Sequence, residues 1–302
     1  MPRAKNSTPA KPARKKAQTA KSRVQSTASA DADGTPNKKR AQAVTSRERS
    51  TASAGANSKP TKKGAQPSLE DEVQAVITSL KRIATQATLE GMARYAIASD
   101  KAFGVSMTNM NLLAKRLGRN HELANTLWET GWYEARMLAS LIDEPARVTP
   151  AQMDRWCRDF DNWAIVDTVC FKLFDQTAYA WRKVAQWCDR PDEWVKRAGF
   201  ALLWSLTVHD KLAGDEPFLR GLVFVERAAD DERHFVKKAV NMALRAVGKR
   251  NLALNAAAVS VARRLAESPH ASARWVGKDA LRELTSPGVT RRLAARRPFP
   301  SG

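Results

Sequence analysis

Trp194-Val195-Lys196-Arg197-Ala198, His234-Phe235-Val236-Lys237-Lys238-Ala239 and Ala273-Arg274-Trp275-Val276-Gly277-Lys278 follow one another at intervals of about 40 residues. Each stretch has an aromatic near its start and a basic residue in or beside an apolar run. That interval suits an α-solenoid, in which stacked helix pairs set equivalent residues side by side on one concave face. A helix bundle would scatter the same residues. Chance recurrence of Lys and Arg in amphipathic helices is the third possibility, and the spacing alone leaves all three open.

The residues around these stretches read at the helical period almost throughout. Ser68 with Asp71 forms a capping signal, followed by Val73, Val76, Ile77 and Leu80. Thr149-Pro150-Ala151-Gln152 is a sharper start, with Thr at the cap, Pro at the first helical position and Gln three residues on. Further helices are predicted over 108–117, 121–129, 133–141, 162–174, 178–188, 193–208, 216–227, 232–247, 253–266 and 271–284. The links between them are short and carry Gly, Pro or Asp, as at Gly118, Asp189-Arg190-Pro191, Gly214-Asp215, Ser268-Pro269 and Ser286-Pro287. No segment alternates as a strand does, so the prediction is an all-α protein.

Residues 1–67 have a different composition. The only branched aliphatics there are Val24 and Val44, and 16 Lys and Arg stand against three acidic residues. Such a segment cannot offset its ordering entropy and is expected to be a disordered basic tail. The helical repeat domain is placed at 68–302. Over the whole chain 51 Lys and Arg face 31 Asp and Glu, a net charge of +20, which favours a polyanionic partner. The best apolar run, near Ala198 to Val208, is too short for a membrane span of about 20 residues, so no membrane partner is expected. Cys157, Cys170 and Cys188 show no metal-ligand spacing and suit a reducing cytosol as small core residues. His121, His209, His234 and His270 are scattered without evident partners, and no metal or cofactor is expected.

One constellation carries chemistry. Asp161-Asn162-Trp163-Ala164-Ile165-Val166-Asp167-Thr168-Val169 opens a helix with Trp163 and Asp167 one turn apart on one face. Ile165, Val166 and Val169 are free to pack inward on another. A core tryptophan beside a salt-bridged aspartate would produce the same spacing. An aromatic face next to a carboxylate also suits a positively charged substrate such as an N-alkylated purine, because both groups stabilise positive charge developing on the sugar as the base leaves.

Phe103-Gly104-Val105, Leu127-Trp128-Glu129 with Glu134-Ala135-Arg136, Asn162-Trp163-Ala164-Ile165-Val166-Asp167, Trp194-Val195-Lys196-Arg197-Ala198 and Phe235-Val236-Lys237-Lys238-Ala239-Val240 resemble, in order and spacing, the HEAT-like DNA alkylation-repair glycosylases (the AlkD-like family). The resemblance covers roughly Leu80 to Val247. It implies a HEAT-like α-solenoid of antiparallel helix pairs that cups alkylated double-stranded DNA, acting as a monomer in the cytoplasm in association with the nucleoid. By position it implies Trp163 as an aromatic wall, Asp167 as the catalytic carboxylate and Arg197 as a hold on the DNA backbone. Lys237, Lys238, Arg245 and Lys278 become phosphate-facing candidates. The activity implied is monofunctional excision of N3- or N7-alkylated purines, and the alternative is a noncatalytic protein that binds distorted or branched DNA. Two positions depart from the family pattern: Met242 stands where a second active-site aromatic is expected, and Ser106 where a longer polar residue is expected.

Deleting residues 1–67 should weaken DNA binding evenly across sequences and flatten its dependence on salt, because charges on a flexible arm reach only phosphates. An unchanged log–log salt slope in the truncated protein would remove the tail from the DNA contact.

Overall fold

The computed structural model describes residues 67–97 and 100–295. The predicted tail, apart from Pro67, lies outside the described residues, as does the basic Arg296-Arg297-Pro298 stretch. Among the described residues are fourteen α-helices, one short 3-10 turn at Phe174–Gln176 and no strand.

The helices are α1 (Leu69–Arg82), α2 (Gln86–Arg94), α3 (Met107–Leu117), α4 (His121–Glu129), α5 (Tyr133–Ile142), α6 (Pro150–Arg158) and α7 (Trp163–Lys172). They continue with α8 (Ala180–Trp187), α9 (Glu193–His209), α10 (Glu216–Arg227), α11 (His234–Val247), α12 (Leu252–Ala266), α13 (Ala271–Leu284) and α14 (Pro287–Ala294). Their starts follow the capping chemistry of the sequence. Ser68 and Asp71 complete a reciprocal capping box at α1, and the Thr149 hydroxyl accepts the Gln152 N–H ahead of Pro150 at α6.

Helices α3, α5, α7, α9, α11 and α13 pack successively side by side, and α4, α8, α10 and α12 each pack against the helix that follows them in the chain. This is the stacked arrangement of helix pairs that the 40-residue interval suits and the family resemblance implies, and a closed bundle does not describe it.

The apolar run near Ala198–Val208 lies within α9. This helix is buried along most of its length from Arg197 to Thr207 and packs against α6, α7, α8, α10 and α11. A helix apolar on nearly all sides is a core helix when it is enclosed in this way. Farther toward the N-terminus the core centres on Trp128, whose ring stacks on Trp156 at 4.0 Å and whose indole N–H donates to Asp159 at 2.7 Å. All three cysteines are free and buried, and burial pushes their thiols well above the ordinary range.

Two histidines have the partners that the sequence did not suggest. The Nδ1 atom of His121 lies 2.6 Å from the buried carboxylate of Asp143, and His209 pairs with Asp175. The four histidines are therefore not uniformly isolated; partners 22 and 34 residues away are brought in by helix packing.

The α12–α13 pair is the tightest place to test the packing. A Cβ on Gly277 would stand 2.3 Å from the Ala266 nitrogen and 2.6 Å from the Ala262 carbonyl oxygen, both of them backbone atoms. Gly277→Ala should therefore destabilise the protein by about 1–3 kcal/mol, read as a lower urea midpoint; an unchanged midpoint would mean that the pair separates easily.

Candidate active site

Asn162 starts α7 by accepting hydrogen bonds from the Ala164 and Ile165 N–H groups, both at 3.1 Å. Ile165, Val166 and Val169 are buried, which turns Trp163 and Asp167 together toward the less enclosed side of the helix. Trp163 is half-buried, and its indole N–H donates to the Tyr95 carbonyl at 2.8 Å. That acceptor is presented by the end of α2. The Ile97 N–H reaches back to the Met92 carbonyl and the Ala96 N–H to that of Ala93, with Ala96 left-handed at φ 53°. This closure leaves the Tyr95 carbonyl free to receive the indole, while the Tyr95 side chain is 61% exposed beside it. Sequence reading missed Tyr95, because α2 lacks both a strong apolar stripe and a terminal glycine.

The Asp167 carboxylate is held by Arg197 through two hydrogen bonds, Nε at 3.1 Å and Nη2 at 2.7 Å. The remaining Arg197 nitrogen donates to the Phe235 carbonyl at 2.8 Å. Burial pushes the Asp167 carboxyl above its ordinary range, and the facing guanidinium opposes that shift. The Asp167 side chain stays 16% exposed, whereas that of Arg197 is only 4% exposed. Each of the three guanidinium nitrogens makes a hydrogen bond inside the protein, so what the structure shows of Arg197 is that it fixes the carboxylate; the expected hold on a DNA backbone is not among these contacts.

Arg245 is likewise paired within the protein. It is bound to Glu283, Asp279 and Asn241 in a half-exposed ionic cluster. Lys238 and Lys278 are exposed and Lys237 is half-exposed. The ammonium groups of Lys237 and Lys238 lie 5.7 and 4.9 Å from the centre of the Trp275 ring. Trp163, Asp167 and Arg197 are thus brought together, Lys237 and Lys238 gather around Trp275, and Arg245 stands in its own ionic cluster. Met242 is half-buried on α11.

A buried carboxylate shapes the approach to α3. Glu134 accepts the N–H groups of Phe103 at 2.9 Å, Gly104 at 2.7 Å and Val105 at 3.1 Å. Gly104 has φ 89°, and a Cβ there would meet the Thr85 carbonyl oxygen at 2.5 Å. The shorter polar residue at 106 has a local role: Ser106 caps α3 by accepting the Asn109 N–H. Asp231, ahead of α11, binds Lys196 of α9 at 3.1 Å and Arg233 at 2.6 Å. Burial acts against its ionisation, but the hydrogen bonds from Arg233 and Lys196 prevail and lower it to about 2.

Among the described residues no group of three or more His, Cys, Asp or Glu side chains is arranged to hold a metal ion, and no helix is long and apolar enough to cross a membrane.

The family model described as DNA alkylation repair enzyme matches residues 76–284, more than half of the chain. No curated protein matches the sequence significantly. Among solved structures, the fold is similar to a protein described as belonging to a new family related to the HEAT-like repeat DNA glycosylases with affinity for branched DNA structures. The TM-score is 0.60 at 22% identity, over 74% of this chain and 97% of that one. A designed armadillo repeat protein aligns with a TM-score of 0.33 at 13% identity, over 73% of this chain and 96% of that one, too distant to bear on the architecture.

The lowered Asp231 carboxyl gives a pH test of the α9–α11 junction. Its folded value lies below the unfolded 3.8, so its contribution is present above that pH and is lost as pH falls toward about 2. Between these limits the native protein should lose more stability than Asp231→Asn, measured by denaturant titration at each pH; parallel losses would show that the junction does not depend on this carboxylate.

Proposed function

The chain belongs to the DNA alkylation repair enzyme family, and from that premise we propose that it is a monofunctional DNA glycosylase excising N3- or N7-alkylated purines from duplex DNA. The observation that carries this reading is a half-buried indole and a partly open carboxylate, one turn apart at the start of α7, with the carboxylate plane set by Arg197.

Alkylation at N3 or N7 leaves the purine positively charged. The C1′–N9 bond breaks with its electron pair going to N9, which neutralises the departing base and leaves an oxocarbenium ion at C1′. The face of Trp163 and the carboxylate of Asp167 stabilise that charge as it forms. A water oxygen then bonds to C1′, and its proton passes to Asp167 or to solvent, yielding the neutral alkylpurine and an abasic deoxyribose. Arg197 is a positioning residue in this scheme. It occupies one lone pair on each Asp167 oxygen and leaves the others, so the carboxylate is oriented without being closed off. Lys237, Lys238 and Lys278 are the phosphate contacts in this reading, with the basic tail adding nonspecific attraction.

A noncatalytic DNA-binding reading is favoured by one position. Met242 supplies a thioether where the resembling family has a second ring, and the similar solved structure is described by its affinity for branched DNA.

Incubation with methylated duplex DNA separates the two readings. The native protein should release 3-methyladenine or 7-methylguanine, and Asp167→Asn should lower release by about two to three orders of magnitude while leaving DNA affinity largely intact. The substitution strands part of the Arg197 charge, so a thermal melt of the variant accompanies the assay. Absence of base release from the native protein would leave only the binding function.

A further inference from the structure

Trp275 differs from the other eight tryptophans. It is 37% exposed, while its neighbours Ala273, Val276, Gly277 and Ala280 anchor α13 in the core. The Lys237 and Lys238 ammonium groups, from α11, lie over its ring. Among the described residues no carboxylate pairs with either lysine. The nearest acidic residue along α13, Asp279, is bound to Arg245 and Arg282. The result is a part-exposed ring beneath two ammonium groups that pair with no carboxylate among the described residues.

A chain of internal contacts links this ring to the candidate active site. Asp167 on α7 binds Arg197 on α9, Arg197 binds the Phe235 carbonyl on α11, the Trp194 ring lies 5.0 Å from that of Phe235, and Lys238 on α11 reaches Trp275 on α13. These groups all come from the first half of successive helices in one layer.

We propose that Trp275, with Lys237 and Lys238, is a stacking platform for an unpaired nucleobase of DNA lying beside the bound duplex. A base within a duplex has both faces covered by its neighbours, so an indole set apart in this way can stack only on a base that has left the helix, at a flap, a fork or an end. Stacking on an aromatic side chain tolerates any base, and the two ammonium groups are placed to meet the phosphates of the same strand. The lysines give up their hold on the ring when phosphate is present. The proposal rests on the reading of this layer as the DNA-facing side, but not on base excision.

The test uses the full-length chain and fluorescence anisotropy with two DNA probes at matched salt. One is a duplex whose ends are closed by non-nucleotide linkers, so that it presents no unpaired base; the other is the same duplex carrying a single-stranded flap of about ten nucleotides. Trp275→Ala should weaken binding of the flapped probe about ten-fold and leave the closed duplex within about two-fold, and Trp275→Phe should recover most of the loss. Replacing Lys237 and Lys238 by alanine should weaken both probes and reduce the salt slope. Equal weakening of both probes by Trp275→Ala, or none in either, overturns the platform. Failure of the native protein to bind any DNA overturns it together with the proposed function. Loss of flap preference in Trp275→Ala, in a protein that releases no alkylated base, supports the platform and removes only the chemistry.

Discussion

Asp167 and Arg197 meet across the α7–α9 contact as two charges removed from most of the surrounding water. Separately, each would carry a desolvation penalty of several kcal/mol. Together they form a planar fork whose third arm ends on the Phe235 carbonyl, so one side chain fixes three successive helices of the same layer. The helices cannot slide against one another without breaking a buried ionic contact, and the carboxylate cannot rotate without breaking the fork. A group intended to face a developing cation needs that immobility, because electrostatic stabilisation depends on dipoles and charges already in place.

The same contact limits the charge available. A carboxylate that already faces a guanidinium offers less negative potential than a free one, and burial further raises its proton affinity. Trp163 is held on the other side, with its N–H committed to Tyr95, so its ring is fixed in orientation as well as position. The turn that supplies this carbonyl places a non-glycine residue, Ala96, in a left-handed conformation that costs roughly 1 kcal/mol. Strain at that point is consistent with a backbone shaped by what it must hold.

Helix positions were legible in the sequence where an apolar stripe ran at the helical period, with or without a side-chain cap. Ser68, Thr149 and Asn162 each accept the hydrogen bonds that their side chains advertise, and 121–129, 216–227 and 271–284 match the observed helices residue for residue. Helices α2 and α14 went unread. α2 places a single residue, Met92, in the core, and α14 lies beyond the Pro287 that reads as a linker but serves as its first turn. The Trp163–Asp167 pairing was legible because one helical turn determines it. The partners were not. Arg197 reads as a surface cation until α9 packs on α7, and Arg245 reads as a phosphate contact until α13 brings Glu283 and Asp279 beside it. Whether a cation is free depends on residues 30 to 40 positions away, and a single sequence does not pair them.

That distinction separates two kinds of basic residue along this layer. Arg197 and Arg245 are spent on internal carboxylates and act as struts; Lys237, Lys238 and Lys278 make no such pairs and project outward. Arginine suits the first task, since its planar fork matches a carboxylate and is easier to bury than an ammonium. Lysine suits the second, since a hydrated point charge on a flexible stem follows a phosphate without demanding one geometry. The basic residues that recur at this interval therefore divide by partner: Lys196 and Arg197 are tied to Asp231 and Asp167, whereas Lys237, Lys238 and Lys278 pair with no carboxylate among the described residues.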